Sequence, residues 1–371
     1  MRHLIHDLLS PAPGIERQLH SFHFGPEGQG KVYIQASLHA DELPGMLVAW
    51  HLKQRLRTLH EQGLLQREVV LVPVANPVGL QQVLLDAPLG RFELHSGENF
   101  NRRFLDLSDS IGDAVEPLLN QDPQHNLALI RSHLRRGLEA HRPGTPLQAQ
   151  RLALQRLACD AELVLDLHCD FEAVAHLYTT PDAWPEIEPL ARYLRAQASL
   201  LATDSGGQSF DECFSLLWWA LQQRFGKRFP IPLGTLAVTV ELRGQADVDH
   251  ALASQDCQAI LDFLTLRGVI SGQVPALPAL PYPATPLAAV EPLIAPQGGL
   301  LVFQAMPGQY LEPGTLVAEV IDPLSDQVTP VRNVQAGLLY ARSVRRMATT
   351  GMVVAHVAGE QVCRSGYLLS N

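Results

Sequence analysis

A chain of 371 residues, 46% hydrophobic and 18% charged, is long enough for one large domain and a small one and too apolar for extended disorder. A formal net charge of -10, from Lys+Arg 28 against Asp+Glu 38, argues against a nucleic-acid partner, which calls for a basic face. The five cysteines show no CxxC spacing, which argues against a disulfide framework or a four-cysteine zinc site.

Residues 1–30 read as an edge element and loops, punctuated by Gly25, Pro26, Gly28 and Gly30. Val32 to Ala36 is an apolar run with the pattern of a buried strand. After His39 and Glu42, Pro44 suits a first helical turn, and Met46, Leu47, Trp50, Leu52, Leu56 and Leu59 supply a helical stripe ending near Gly63. Val69 to Ala75 is a second buried strand whose Pro73 takes its last part out of the ladder. Strand, helix, strand at this spacing is a βαβ pattern. Residues 86–106 read as a loop carrying Arg91, Asn99, Asn101, Arg102 and Arg103.

Helical segments are predicted near 124–140 and 147–159. A third strand-like run, AELVLDLHCD, reaches His168, and AVAHLYTTP gives a fourth before a helical stretch over 185–201. Residues 203–209 form a flexible polar turn, and residues 203–215, with Gly206-Gly207, are read as a mobile lid. An aromatic helix then spans 210–225, with Trp218 and Trp219 read as core. TLAVTVEL is another buried strand with Glu241 near its end, followed by a helix over 248–266. Six prolines between Pro275 and Pro292 mark a semi-rigid linker. The boundaries predicted are therefore a domain over 1–274, a linker over 275–292 and an all-β unit over 293–371, with strands LLVFQA, TLVAEVID, GLLYARS and VVAHVA. That unit resembles the barrel-like hybrid domain of biotin and lipoyl carriers, but it lacks the lysine that a carrier needs.

A histidine and a carboxylate three residues apart, between a strand and a helix, can converge on one metal ion. His39, Glu42 and His168 form the two-histidine, one-glutamate set of catalytic zinc sites such as carboxypeptidase A, which keep a position open for water. His39 and His168 sit where apolar strands run out, the end at which open α/β sheets bind ligands. Asp166 falls on the same strand face as His168, placed to hold its imidazole, and Asp41 is a second carboxylate near a ligand. Amide hydrolysis also needs a base, and Glu241, closing a strand otherwise apolar, is the candidate, against a structural ion pair with Arg243. Arg91, Arg102 and Arg103 are the local cations for a developing oxyanion, and Asn101-Arg102 can grip an amino-acid carboxylate.

SLHADE, NPVG, NFNRRF, DLHCD and VTVELRG stand in the order and approximate spacing of the succinylglutamate desuccinylase/aspartoacylase family, related to the zinc carboxypeptidases. The resemblance covers roughly residues 30–245, and the β unit matches the family's C-terminal domain more loosely. It implies a carboxypeptidase-like three-layer α/β/α fold with a mixed sheet. It implies one zinc held by His39, Glu42 and His168, a catalytic Glu241, Arg91 at the oxyanion, and Asn101 and Arg102 on a substrate carboxylate. The chain departs from the family at Ala40, where glycine is usual, and in a longer gap from Arg91 to Asn101. Tyr178 and Tyr310 are the candidates for the family's assisting tyrosine.

The expected activity is zinc-dependent cleavage of the amide of an N-acyl amino acid. The alternatives are a carboxypeptidase acting on a short peptide, or a binding protein on a hydrolase scaffold that has lost activity. The N-terminus lacks the apolar core of a signal peptide, and no run approaches the roughly 20 apolar residues of a membrane span. The expectation is a cytoplasmic enzyme of small-molecule substrates, able to form a homo-oligomer.

Overall fold

In a computed structural model, which describes residues 1–369, a 9-stranded mixed sheet forms the middle layer. Across the sheet the strands run Arg2–Asp7, Gln18–Phe24, Glu68–Val72, Lys31–Ala36, Leu163–Asp170, Leu236–Gly244, His176–Thr179, Ala198–Leu201 and Thr285–Pro286. The four from Glu68–Val72 to Leu236–Gly244 are parallel to one another. These are the runs of continuous apolar sequence, as strands covered on both faces require.

Helices Pro44–Glu61, Trp184–Leu194 and His250–Leu266 bury one face over Val32, Ile34, Leu165 and Val238. Helices Ser108–Val115, Pro123–Ala140, Pro146–Ala158 and Glu212–Phe225 bury the other over Tyr33, Val164 and Ala237. The result is the predicted three-layer α/β/α sandwich. Helix starts follow local chemistry: Pro44 opens the first long helix, and the Asp122, Thr145 and Asp249 side chains each accept from a first-turn backbone N–H.

Three local readings differ. Residues 1–30 contain two full strands that extend the sheet edge, and Ser108–Val115 is a helix in a stretch for which no element is predicted. The stretch 185–201 is a helix to Leu194 followed by the strand Ala198–Leu201. Arg195 in left-handed backbone, φ 53°, ends that helix, where helical periodicity alone shows no break.

After the proline-rich stretch, two small antiparallel sheets enclose a separate apolar core of Leu301, Val317, Val320, Leu339 and Val357. Two pairings tie this unit and the stretch before it to the rest of the chain. Glu172–Ala173 pairs with Ala341–Arg342, and Thr285–Pro286 pairs with Leu200–Leu201. No helix among the described residues is long and apolar enough to cross a membrane.

Candidate metal centre and active site

Three neighbouring parallel strands deliver the site. Gln35 is level with Asp166, Asp166 with Thr239, and His168 with Glu241. Alternation along a strand therefore puts Asp166, His168 and Glu241 on one face, at the carboxyl end of the sheet. The chain leaves the first strand through Ser37, whose φ of 59° is left-handed backbone. Its hydroxyl donates to the Glu42 carbonyl at 3.0 Å, so the turn folds His39 and Glu42 back over the strand end. On the third strand a bulge between Glu241 and Gly244, with Arg243 at φ 65°, shifts the register just past Glu241, and pairing resumes with Gly244 opposite Asp170. Bulges re-aim side chains in this way beside functional sites.

His39, Glu42 and His168 are buried, and their donor atoms all lie within 4.8 Å of one another. The outer partners decide the tautomers. Asn99 Oδ1 accepts from the backbone N–H of Asn101 at 2.9 Å, which identifies that atom as oxygen. His39 Nε2, 2.8 Å from the same oxygen, must then donate to it. His168 Nε2 lies 2.9 Å from Asp166 Oδ2, at ion-pair distance though not aligned as a hydrogen bond, and the carboxylate draws a proton to that nitrogen. Each Nδ1 is left facing a Glu42 oxygen, at 2.9 Å for His39 and 2.7 Å for His168. At His168 that is acceptor against acceptor unless a cation or a proton lies between, and at His39 only the Arg91 Nη1 donor at 3.0 Å relieves it, so the donor set fits a divalent ion.

Burial raises the Glu42 carboxyl, but the two imidazoles outweigh it and hold the group well below the usual carboxylate range. Asp166 is itself anchored: Gln35 Nε2 donates to its Oδ1 at 2.9 Å, and Tyr33 OH donates to Gln35 Oε1 at 2.9 Å. Among the described residues Asp41 pairs with Gln245, its Oδ2 accepting at 3.3 Å, rather than with His39 or His168.

Glu241 lines the same cavity, and its Oε2 is buried without a hydrogen-bond partner among the described residues. Burial first, then repulsion from Glu42, push this carboxyl well above the ordinary range. The alternative ion pair does not form, because Arg243 is paired with Asp256. Arg91 reaches over the cluster, with Nη1 3.0 Å from His39 Nδ1 and 3.7 Å from Glu42 Oε1.

The cavity is about 850 Å³ and runs from His39 and His168 to the β unit. Asn101 and Arg102 line it. Asn101 Oδ1 is occupied by the Phe210 N–H at 2.8 Å, so only its Nδ2 can serve a ligand. Arg102 packs on Gly207, where a Cβ would meet Arg102 Cδ at 2.6 Å and φ is +95°. The segment read as a mobile lid is pinned here, with Arg103 N donating to Gly207 O at 2.8 Å and Phe104 N to Gln208 O at 3.2 Å. Tyr178 lines the cavity; Tyr310 is 52% exposed, stacks on Tyr282 and is not among the lining residues. Trp218 is buried core, its Nε1 donating to Thr235 Oγ1, whereas Trp219, read as core with it, is exposed.

Sequence reasoning missed Asn99 as the partner of His39, and it left open whether the β unit shapes the pocket mouth or joins subunits; Tyr340, Arg345 and Arg364 of that unit line the wall. The first had a signal, since Asn99 stands two residues before Asn101. The second had none, because nothing local says which strands of one unit face another.

Comparison with known proteins gives one answer. The model of the succinylglutamate desuccinylase/aspartoacylase catalytic domain matches residues 29–267. A protein from Shewanella amazonensis, assigned to that family, superposes with a TM-score of 0.83 at 25% identity, covering 96% of this chain and 98% of its own. One from Shewanella frigidimarina gives 0.84 at 25% identity, over 96% and 97%. The product-bound ectoine utilization protein EutE (DoeB) from Ruegeria pomeroyi shares the fold, with a TM-score of 0.69 at 16% identity over 96% and 95%. No curated protein matches. This chain belongs to the succinylglutamate desuccinylase/aspartoacylase family.

Proposed function

We propose that the protein is a zinc-dependent hydrolase that cleaves the amide bond of an N-acyl amino acid. The observation that carries this is the convergence of three acceptor groups, His39 Nδ1, His168 Nδ1 and Glu42, beside a carboxylate with an unpartnered buried oxygen, Glu241. His39, Glu42 and His168 would hold one zinc, which when bound polarises the scissile carbonyl and acidifies a coordinated water. Glu241 takes the water's proton and returns it to the leaving nitrogen; its raised affinity for protons suits both halves of that task. Arg91, above the cluster, faces the developing oxyanion. Arg102, with Nδ2 of Asn101, grips the substrate carboxylate. Tyr178 stands in the wall as the assisting hydroxyl.

A cavity of about 850 Å³ favours one second reading, since it accommodates more than a small acylated amino acid. In it, the same groups cleave a short peptide in carboxypeptidase fashion. Metal analysis, followed by a screen of N-acetyl, N-succinyl and N-formyl amino acids beside short peptides, separates the two. Turnover of no amide by zinc-loaded protein would sink both. Full zinc occupancy in His168→Ala would remove the ligand assignment.

A further inference from the structure

The helix Pro146–Ala158 buries a polar stripe that packing alone does not explain. Gln150, Arg151 and Gln155 are 0, 5 and 3% exposed. Burying an arginine without partners is expensive, so its partners state its purpose. Arg151 Nη2 donates to Asn99 O at 2.6 Å, and its Nη1 to Glu98 Oε2 at 2.8 Å. A longer contact at 3.5 Å joins its Nε to Phe100 O. One turn on, Gln155 holds both backbone groups of Leu105, accepting from N at 3.2 Å and donating to O at 2.9 Å. Two side chains of one helix thus fasten both ends of the segment 98–105.

That segment carries Asn99, whose side chain orients His39. We infer that Arg151 is a positioning residue for the metal centre, acting through Asn99. It touches neither ion nor substrate. By fixing the carbonyl of Asn99 it fixes where the Asn99 side chain starts, and so where its oxygen meets His39 Nε2. A hydrogen bond of 2.8 Å weakens steeply when its partner shifts or tilts. With Arg151 removed, the Asn99 carbonyl loses its donor, the segment relaxes, and His39 Nδ1 is no longer aimed at the ion.

The inference rests on the metal-site reading above, and its test needs no substrate. Zinc is titrated into metal-free protein against a chromophoric chelator. Arg151→Met is expected to weaken zinc about tenfold, the lower end of what partners of metal ligands supply. Asn99→Ala is expected to lose at least as much. Because Arg151 acts through Asn99, the double variant should bind no more weakly than Asn99→Ala alone. Additive losses would overturn the inference, as would unchanged affinity in Arg151→Met. Gln150→Met, on the same helix, controls for general loosening, and an equal loss there overturns it too. Should Arg151→Met not fold, Arg151→Lys is expected to show an intermediate affinity, and wild-type affinity in that variant overturns the role. Wild-type protein that takes up no zinc would instead overturn the metal-site reading itself.

Discussion

Glu241→Gln offers a test with two readouts of opposite sign. The side chain keeps its shape but loses its charge and its ability to take a proton. A positioned general base contributes about 10²- to 10⁴-fold, so kcat should fall by that factor, about 3–5 kcal/mol of barrier, while zinc affinity stays within about twofold. Stability should move the other way. The Glu241 Oε2 atom is buried with no hydrogen-bond partner among the described residues, and the nearest strand arginine, Arg243, is committed to Asp256. Such a group costs on the order of 1–3 kcal/mol, and a neutral amide relieves part of it. The metal-free variant should therefore melt about 2 °C higher than the wild type.

The pH dependence follows from the sign of the shift. Burial raises the folded-state pKa of Glu241 above its unfolded value, so the native state binds the proton more tightly. Wild-type stability therefore rises as pH falls through the raised value toward the ordinary glutamate range, about 4.3, and the gap to the glutamine variant closes there. Calorimetry on metal-free protein across that range, with steady-state rates on loaded protein, checks both. A variant that melts lower than wild type at pH 7, or keeps more than a tenth of the activity, refutes the reasoning.

Asp166→Asn replaces a carboxylate serving two donors, Gln35 and His168, with a group that has one acceptor oxygen; zinc affinity should fall about 10- to 100-fold in chelator competition. Gly207→Ala puts a methyl 2.6 Å from Arg102 Cδ in left-handed backbone, and should raise KM with little change in kcat. Arg243→Met leaves Asp256 buried and unpaired, and should destabilise by about 3 kcal/mol in denaturant melts. Glu68 is held below its ordinary pKa first by the hydrogen bond from His23. Its stabilisation is present above the unfolded value and lost as pH falls through the folded one. Glu68→Gln should therefore cost about 1 kcal/mol at pH 7 and nothing once the carboxyl of the wild type is protonated.

The central βαβ unit was legible because its strands are covered on both faces and so are apolar throughout. His39 and Glu42 were legible because polar residues at the end of such a run are conspicuous. Glu241 stood out for the same reason, and only the structure shows that Asp256, 13 positions along the chain from Arg243, takes the arginine and leaves the ion pair with Glu241 unformed. Gln35 and Tyr33 sit inside a strand that reads as uniformly buried, and only the register with Asp166 shows them as an anchored string behind His168.

The amino-acid order by itself determined which segments are strands and helices over most of the large domain, and which residue types could hold a metal, since both follow from periodicity and local chemistry. Tertiary structure alone decided which nitrogen of each imidazole faces Glu42, because that depends on Asn99 and Asp166, brought to His39 and His168 by separate elements. It also decided that the β unit supplies one wall of the cavity. Hydrogen-bond direction and cavity shape depend on distances between segments remote along the chain, and no local pattern records those distances.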